Sequence, residues 1–234
     1  LIDDDNEEVT LIRPDRQAVS DIETIEPDGS TKVYDFWNEE RDPDETICTL
    51  KDNTIQVQRR DMVTLNIETD LNDVVINGYL HLITKQSQAN QVTTPKLPKV
   101  WAPSTFFYPK MKRAGHPAVK RWTNRLPGGL FSFDIMIVPV HINLNHWACG
   151  IIDFRKKSVE LHDSLGVKKG SGYSSTETDF FPLMRSYLSE EAAATETPNF
   201  DISKWTDVTS TNCPQQDNIN DCGVFLLKVA HYRS

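Results

Sequence analysis

The chain has 234 residues and a mass of 26.7 kDa, with 38% hydrophobic and 25% charged residues, which suits one large domain or one domain with an appendage and excludes global disorder. Its net charge of −9 is concentrated at one end: residues 1–45 hold sixteen acids against four bases (net −12), and the rest holds eighteen against twenty-one (net +3). Neither part has the basic stripe of a nucleic-acid binder, no apolar run approaches a membrane span, and no leader pattern opens the chain. Cys48, Cys149, Cys213 and Cys222, with no C-x-x-C pair, exclude the usual zinc frameworks and a disulfide-dense scaffold, so a reducing compartment and no metal or cofactor are expected.

Residues 1–45 read as an acidic, weakly ordered amino-terminal arm, and 46–234 as the main domain. Thr46–Leu50 and Thr54–Gln58 flank Lys51-Asp52-Asn53 as a hairpin. Asp61 is placed to cap a helical turn through Met62, Val63 and Leu65. A longer helix begins near Asn72, with Val75, Ile76, Tyr79, Leu80 and Ile83 on one face, and residues 87–99 read as a loop. A short helix over His116–Arg125 carries Trp122. Three strands follow: Asp134–Ile142, His146–Phe154, and Ser158–Asp163 after the Arg155-Lys156-Lys157 turn. Asp179–Ala194 is amphipathic, with Phe180, Leu183, Tyr187 and Leu188 inward, and a last helix starts near Asp221. Lys156-Lys157 and Lys168-Lys169 read as turn charges, and His162 as a strand filler. His81, His116, His141 and His231 lack ligand spacing.

The chemistry concentrates late in the chain. If Asp153 pairs with Ser158, then Asp163 faces Ala148, and His146 and Asp163 become diagonal neighbours on one face, within side-chain reach. A carboxylate there would fix the imidazole tautomer and favour its protonated form, although a structural His–Asp bond at a sheet edge would look the same. Cys222 follows Asp221, a candidate N-cap, so its sulfur stands at a helix amino terminus, where dipole and free N–H groups favour thiolate. Gly223 would leave room for a substrate backbone. Gln216, in a loop opened by Pro214, is a candidate donor to a developing oxyanion beside the Cys222 N–H.

His146-Trp147, Asp163-Ser164-Leu165, Pro214-Gln215-Gln216 and Asp221-Cys222-Gly223, in that order, resemble the SUMO-specific proteases, the ubiquitin-like-protein-processing cysteine peptidases. The resemblance extends from about Ile55 to the carboxyl end, including Leu71-Asn72-Asp73, Ser104–Tyr108 and Arg121-Trp122. It implies an α+β, papain-like fold, a mixed central sheet flanked by helices, with the triad in the order His, Asp, Cys. It implies His146 as general base and acid, Asp163 as its orienter, Cys222 as nucleophile and Gln216 as oxyanion donor. The implied activity is cleavage after the terminal Gly-Gly of SUMO or a close ubiquitin-like modifier, by precursor processing or isopeptide deconjugation. Trp147 matches a tryptophan roofing the glycine tunnel, Asp73 a carboxylate that pairs with an arginine of the modifier, and Phe106 and Trp122 positions that touch it. Asp70 stands where family members commonly have tryptophan, and the chain stops twelve residues past Cys222, earlier than its relatives.

By the same resemblance the protein is expected to be a monomeric, cofactor-free, intracellular enzyme, nuclear or cytoplasmic, whose partners are the modifier and its conjugates. A protease for ubiquitin or a Nedd-type modifier, a Cys/His/acid acetyltransferase and a non-catalytic modifier-binding module remain as alternatives.

Overall fold

The computed structural model of the protein describes residues 41–50, 54–66, 68–142, 145–166, 174–209 and 213–234. The expected arm through residue 40 and the Lys51–Asn53 and Lys168-Lys169 turns lie outside the described residues. Residues Asp42–Ser234 form one unit.

Strands β1 (Thr46–Leu50) and β2 (Ile55–Gln58) make the expected antiparallel hairpin. The short helix α1 (Arg59–Val63) follows. Its N-cap is Gln58, and Asp61 occupies the third helical position, where its carboxylate accepts the Gln58 N–H at 2.7 Å. Asp61 thus closes a capping box instead of capping the turn itself.

Helix α2 (Asp73–Thr93) is capped by Asn72, whose side chain accepts the Val75 N–H at 3.0 Å. Ile76, Leu80 and Ile83 form its buried stripe, while Tyr79 turns outward to hydrogen-bond His231. The helix extends well into the stretch expected as a loop. Residues 87–93 hold no proline or glycine, and termination waits for Thr94, whose conformation is restricted by Pro95. The buried Ser87 hydroxyl then donates to Pro98 O and accepts the Val100 N–H, fixing the return into β3 (Val100–Trp101).

Helix α3 (Phe107–Thr123) starts nine residues before the expected His116 and is kinked where Gly115 adopts φ 67°, two residues before Pro117. Glycine tolerates that conformation, and the proline then opens the second half without a missing hydrogen bond.

The central sheet adds β4 (Ile135–Ile142), β5 (His146–Asp153), β6 (Ser158–His162) and β7 (Thr206–Thr209), in the order β3-β4-β5-β6-β7. The two outer pairings are parallel and the two inner ones antiparallel. The β5–β6 register runs from Asp153↔Ser158 to Cys149↔His162, as anticipated. β3 and β7 escaped the sequence reading, being short and without alternation.

Both sheet faces are covered. Met136, Val138, Val140, Ala148 and Ile152 pack with Phe107 and Met111 of α3 and with Phe180, Met184, Tyr187 and Leu188 of α4 (Ser174–Ala194). Met184 takes the inward place expected for Leu183, which is half-buried. Ile135, Ile137, Trp147, Cys149 and Ile151 meet α2 and Leu226, Leu227 and Ala230 of α5 (Cys222–Arg233). Burial on both sides explains why β4 reads as an unbroken apolar run.

Helix α5 is fastened at its carboxyl end. Arg233 donates to Glu160 at 2.6 Å and to the buried Asp153 at 3.1 Å. Burial alone would raise the Glu160 pKa, but hydrogen bonds from His162, Arg233 and Ser158 hold it well below the usual carboxylate range. His162, expected only to fill space, is one of those donors, at 3.1 Å.

Candidate active site

The sheet topology sends three chain segments to one end of the molecule. β5 begins at His146, and its antiparallel neighbour β6 ends at His162, so Asp163 emerges beside that start. The His146 Nε2 and Asp163 Oδ1 are 2.7 Å apart. Asp163 is itself held, its Oδ1 also accepting the Leu165 N–H at 2.9 Å. With Nε2 engaged, the buried Nδ1 is the ring nitrogen left to serve the thiol.

The Cys222 sulfur is that thiol. Cys222 opens α5, is only 1% exposed, and lies near enough to the His146 ring to bear on its charge. Burial alone would lower the His146 pKa. The hydrogen bonds and charges of Asp163 and Cys222 outweigh it and raise the imidazole from 6.5 to about 9. The raised imidazole places a positive charge at neutral pH beside the Cys222 sulfur and the start of α5.

Two local expectations need correction. Asp221 occupies the N-cap position without a side-chain capping bond. The acceptor for the turn's N–H groups is Asn218, whose Oδ1 takes those of Asn220 and Asp221, each at 3.0 Å. Gly223 is buried and leaves no passage for substrate: a Cβ there would come within 2.8 Å of the Leu71 side chain, so the glycine lets α5 seat against that segment.

Gln216 sits between the acid and the nucleophile. Its N–H donates to Ser164 O at 2.9 Å, its Oε1 accepts the Ser164 hydroxyl at 2.6 Å, and its Nε2 donates to Asn218 O at 2.8 Å. An amide nitrogen carries two hydrogens, so one such bond leaves a second for another acceptor.

A cavity of about 640 Å³ is bounded by Asp70, Leu71, Asp73, Phe106, His141 and Trp147, among others. Asp73, Phe106 and Trp147 thus come together, with Phe106 59% exposed. Trp122 is not among the lining residues. It packs against Phe107, ring centres 5.6 Å apart, at the edge of the core beneath α3 and α4. Asp70 accepts a hydrogen bond from Asn220 at 3.3 Å.

His141 was overlooked in the sequence. It pairs with Trp147 across β4 and β5, and the rings stack at 3.9 Å with planes 7° apart. The Trp147 Nε1–H donates to Leu71 O at 3.0 Å. One indole face and one edge are thereby fixed, which orients the tryptophan beside His146. Burial, opposed by the Asp73 charge, lowers the His141 pKa below 6.5. Only the β4–β5 register reveals this pairing. Among the described residues no cluster of His, Cys, Asp or Glu is arranged to hold a metal ion.

Residues 69–234 match the sequence family described as the Ulp1 protease family, C-terminal catalytic domain. A sentrin-specific protease of Caenorhabditis elegans is 32% identical over 225 residues, 95% of this chain and 30% of the relative. Human sentrin-specific protease 2 is 35% identical over 182 residues, 77% of this chain and 28% of that protein. The chain therefore spans about 30% of the length of these curated relatives. Among solved structures, the C-terminal Ulp1 protease domain in complex with Smt3, the yeast orthologue of SUMO, superimposes with a TM-score of 0.67 at 27% identity, covering 86% of this chain and 80% of that one. The mixed sheet with helices on both faces is the fold of that protease domain. With sheet, cleft and sequence in agreement, this chain belongs to the Ulp1 protease family.

Proposed function

We propose that the protein is a cysteine peptidase that cleaves after the terminal Gly-Gly of SUMO or a close ubiquitin-like modifier, processing precursors and releasing modifier from target lysines. The observation that carries this reading is the 2.7 Å bond from His146 to Asp163, with Cys222 on the same ring and at the start of α5. Membership in the Ulp1 family and the likeness to a protease domain bound to a SUMO orthologue support the choice of substrate.

In this mechanism the Cys222 thiolate attacks the carbonyl of the last glycine, and the oxyanion is met by the Cys222 N–H and the Gln216 amide. The intermediate collapses, the carbon–nitrogen bond breaks, and imidazolium His146 gives its proton to the leaving amine. Neutral His146 then takes a proton from water as that water attacks the thioester. Sulfur leaves as thiolate, and the imidazolium is restored. Asp163 holds the ring in the required tautomer throughout. Trp147, Asp73 and Phe106, lining one cavity, would receive the modifier's tail and its adjacent surface. The protein would act as a cofactor-free monomer on protein substrates, without nucleic acid, inside the cell in the nucleus or cytoplasm; no helix among the described residues is long and apolar enough to cross a membrane.

Carboxy-terminal vinyl-sulfone probes of SUMO, ubiquitin and a Nedd-type modifier test the reading. A SUMO adduct on the wild type that is lost in Cys222→Ala supports it. Exclusive labelling by another modifier refutes the substrate, and labelling by none, with no hydrolysis of a SUMO fusion, refutes the function.

A further inference from the structure

The stretch between Gln216 and Cys222 contains a residue whose bonds all converge on the catalytic machinery. Asn218 accepts the N–H groups of Asn220 and Asp221 through Oδ1, each at 3.0 Å. Its Nδ2 donates to Asp221 Oδ2 at 2.8 Å, and its backbone carbonyl takes the Gln216 Nε2–H at 2.8 Å. One side chain therefore ties down the turn from which the Cys222 N–H projects and restrains the Asp221 carboxylate. Through its own backbone it also orients the Gln216 amide. We propose that Asn218 is a positioning residue for the oxyanion site, setting the Gln216 amide and the Cys222 N–H at the separation a tetrahedral oxyanion requires.

The proposal rests on Gln216 acting as the oxyanion donor described above. Its logic is geometric. The two donors belong to different pieces of structure: Gln216 is fastened to Ser164, beside the β6 exit, and Cys222 to the packed helix α5. The chain between them is five residues long, exposed or half-buried, and Ile219 is 79% exposed. Such a segment has little packing to hold it, and the four Asn218 bonds supply most of the constraint, joined by one long bond from Asn220 to Asp70. Oxyanion stabilisation requires donors placed in advance, and an error of about 1 Å forfeits much of it. Asn218 would thus influence the transition state without touching the substrate.

The readout must separate oxyanion geometry from thiol reactivity and overall folding. Two small reagents do so without depending on which modifier the protein takes. In p-nitrophenyl acetate the sulfur attacks a carbonyl, p-nitrophenolate leaves, and an oxyanion forms on the way. Iodoacetamide alkylates the same sulfur with loss of iodide, and no oxyanion develops. Rates are measured on the full chain, with Cys222→Ala subtracted to remove the other cysteines.

Asn218→Ala is expected to slow acylation by about tenfold while changing alkylation less than about twofold. Asn218→Asp keeps the acceptor for the two N–H groups and should recover part of the acylation rate. In a Gln216→Ala background, Asn218→Ala should cost less than its tenfold in the wild type, because only the Cys222 N–H is then left to be placed and there is no second donor to hold it in register with. Equal losses of acylation and alkylation, or full additivity with Gln216→Ala, would overturn the proposal, and so would an unchanged acylation rate in a folded Asn218→Ala protein. Failure of the wild type to hydrolyse any modifier fusion would sink the functional reading alone, leaving the acylation-to-alkylation ratio to judge Asn218.

Discussion

The elevated imidazole pKa is the most exposed part of the proposed mechanism, and Asp163→Asn probes it directly. The substitution keeps the shape of the side chain and removes its charge. In the wild type, His146 is displaced from 6.5 to about 9, equivalent to about 3 kcal/mol in favour of the imidazolium at about 1.4 kcal/mol per tenfold. Burial works against that displacement, and the opposing hydrogen bonds and charges come from Asp163 and Cys222. With the carboxylate gone, burial is resisted by Cys222 alone, and the His146 midpoint should fall below 7. Because the folded pKa is raised, the stabilisation from this ion pair is complete below the unfolded value of 6.5 and is lost as pH climbs through about 9. The stability gap between wild type and Asp163→Asn should accordingly narrow across that window. Titration of the ring by nitrogen-15 NMR, assigned with a His146→Gln control, reads the midpoint, and urea unfolding at several pH values reads the gap. Hydrolysis should fall by a factor on the order of 10³–10⁴, as in other triads whose orienting carboxylate is lost. A midpoint above 8 in the variant, or a rate within tenfold of wild type, would refute this account of the site.

Other perturbations follow from named contacts. Gly223→Ala must push Leu71 or α5 aside, since the new methyl would sit 2.8 Å from the Leu71 Cβ; thermal melting should register a loss of about 1–3 kcal/mol, with slower alkylation of Cys222 as the helix shifts. His141→Ala removes the ring stacked on Trp147 and should raise KM for a modifier fusion more than it lowers kcat, whereas His141→Phe should restore most of the difference. Glu191→Ala strips the partner from the buried His116 and should cost about 1–3 kcal/mol in denaturant unfolding, a cost reduced when His116 is replaced by leucine as well. Arg233→Ala removes the shared cation from Glu160 and the buried Asp153, leaving Asp153 to the half-exposed Arg155 and Glu160 to His162. Because the Glu160 pKa is depressed, that pairing stabilises the fold above about pH 4.5 and fades as pH falls, so the melting-temperature deficit of Arg233→Ala should shrink in acid.

The legibility of the site differed from residue to residue. His146 and Asp163 were readable as partners because a tight turn at Arg155–Lys157 sets the β5–β6 register, and register fixes which side chains share a face. Cys222 was readable because a helix start carries its own electrostatics. Two details at the start of α5 were misjudged. Asp221 holds the N-cap position without a capping bond, its carboxylate accepting the Asn218 Nδ2–H instead, and Gly223 is required by Leu71, 152 positions earlier in the chain. Trp122 was read by resemblance as a position that touches the modifier, and in the fold it packs on Phe107, outside the cavity of Asp73, Phe106 and Trp147. His141 carried no local signal, because its stacking on Trp147 depends on a pairing between β4 and β5 across residues 143–145.

Periodicity, helix-start chemistry and the order of a few polar residues sufficed to determine the main helices, the three inner strands, the family and the members of the proposed triad, because each is written in interactions between residues close in the chain. What required the folded molecule was the outer strands β3 and β7, the stacking of His141 on Trp147, and the cavity shared by Asp73, Phe106 and Trp147. Those features are decided by contacts between segments far apart in sequence, whose energies exist only once the sheet has brought them together.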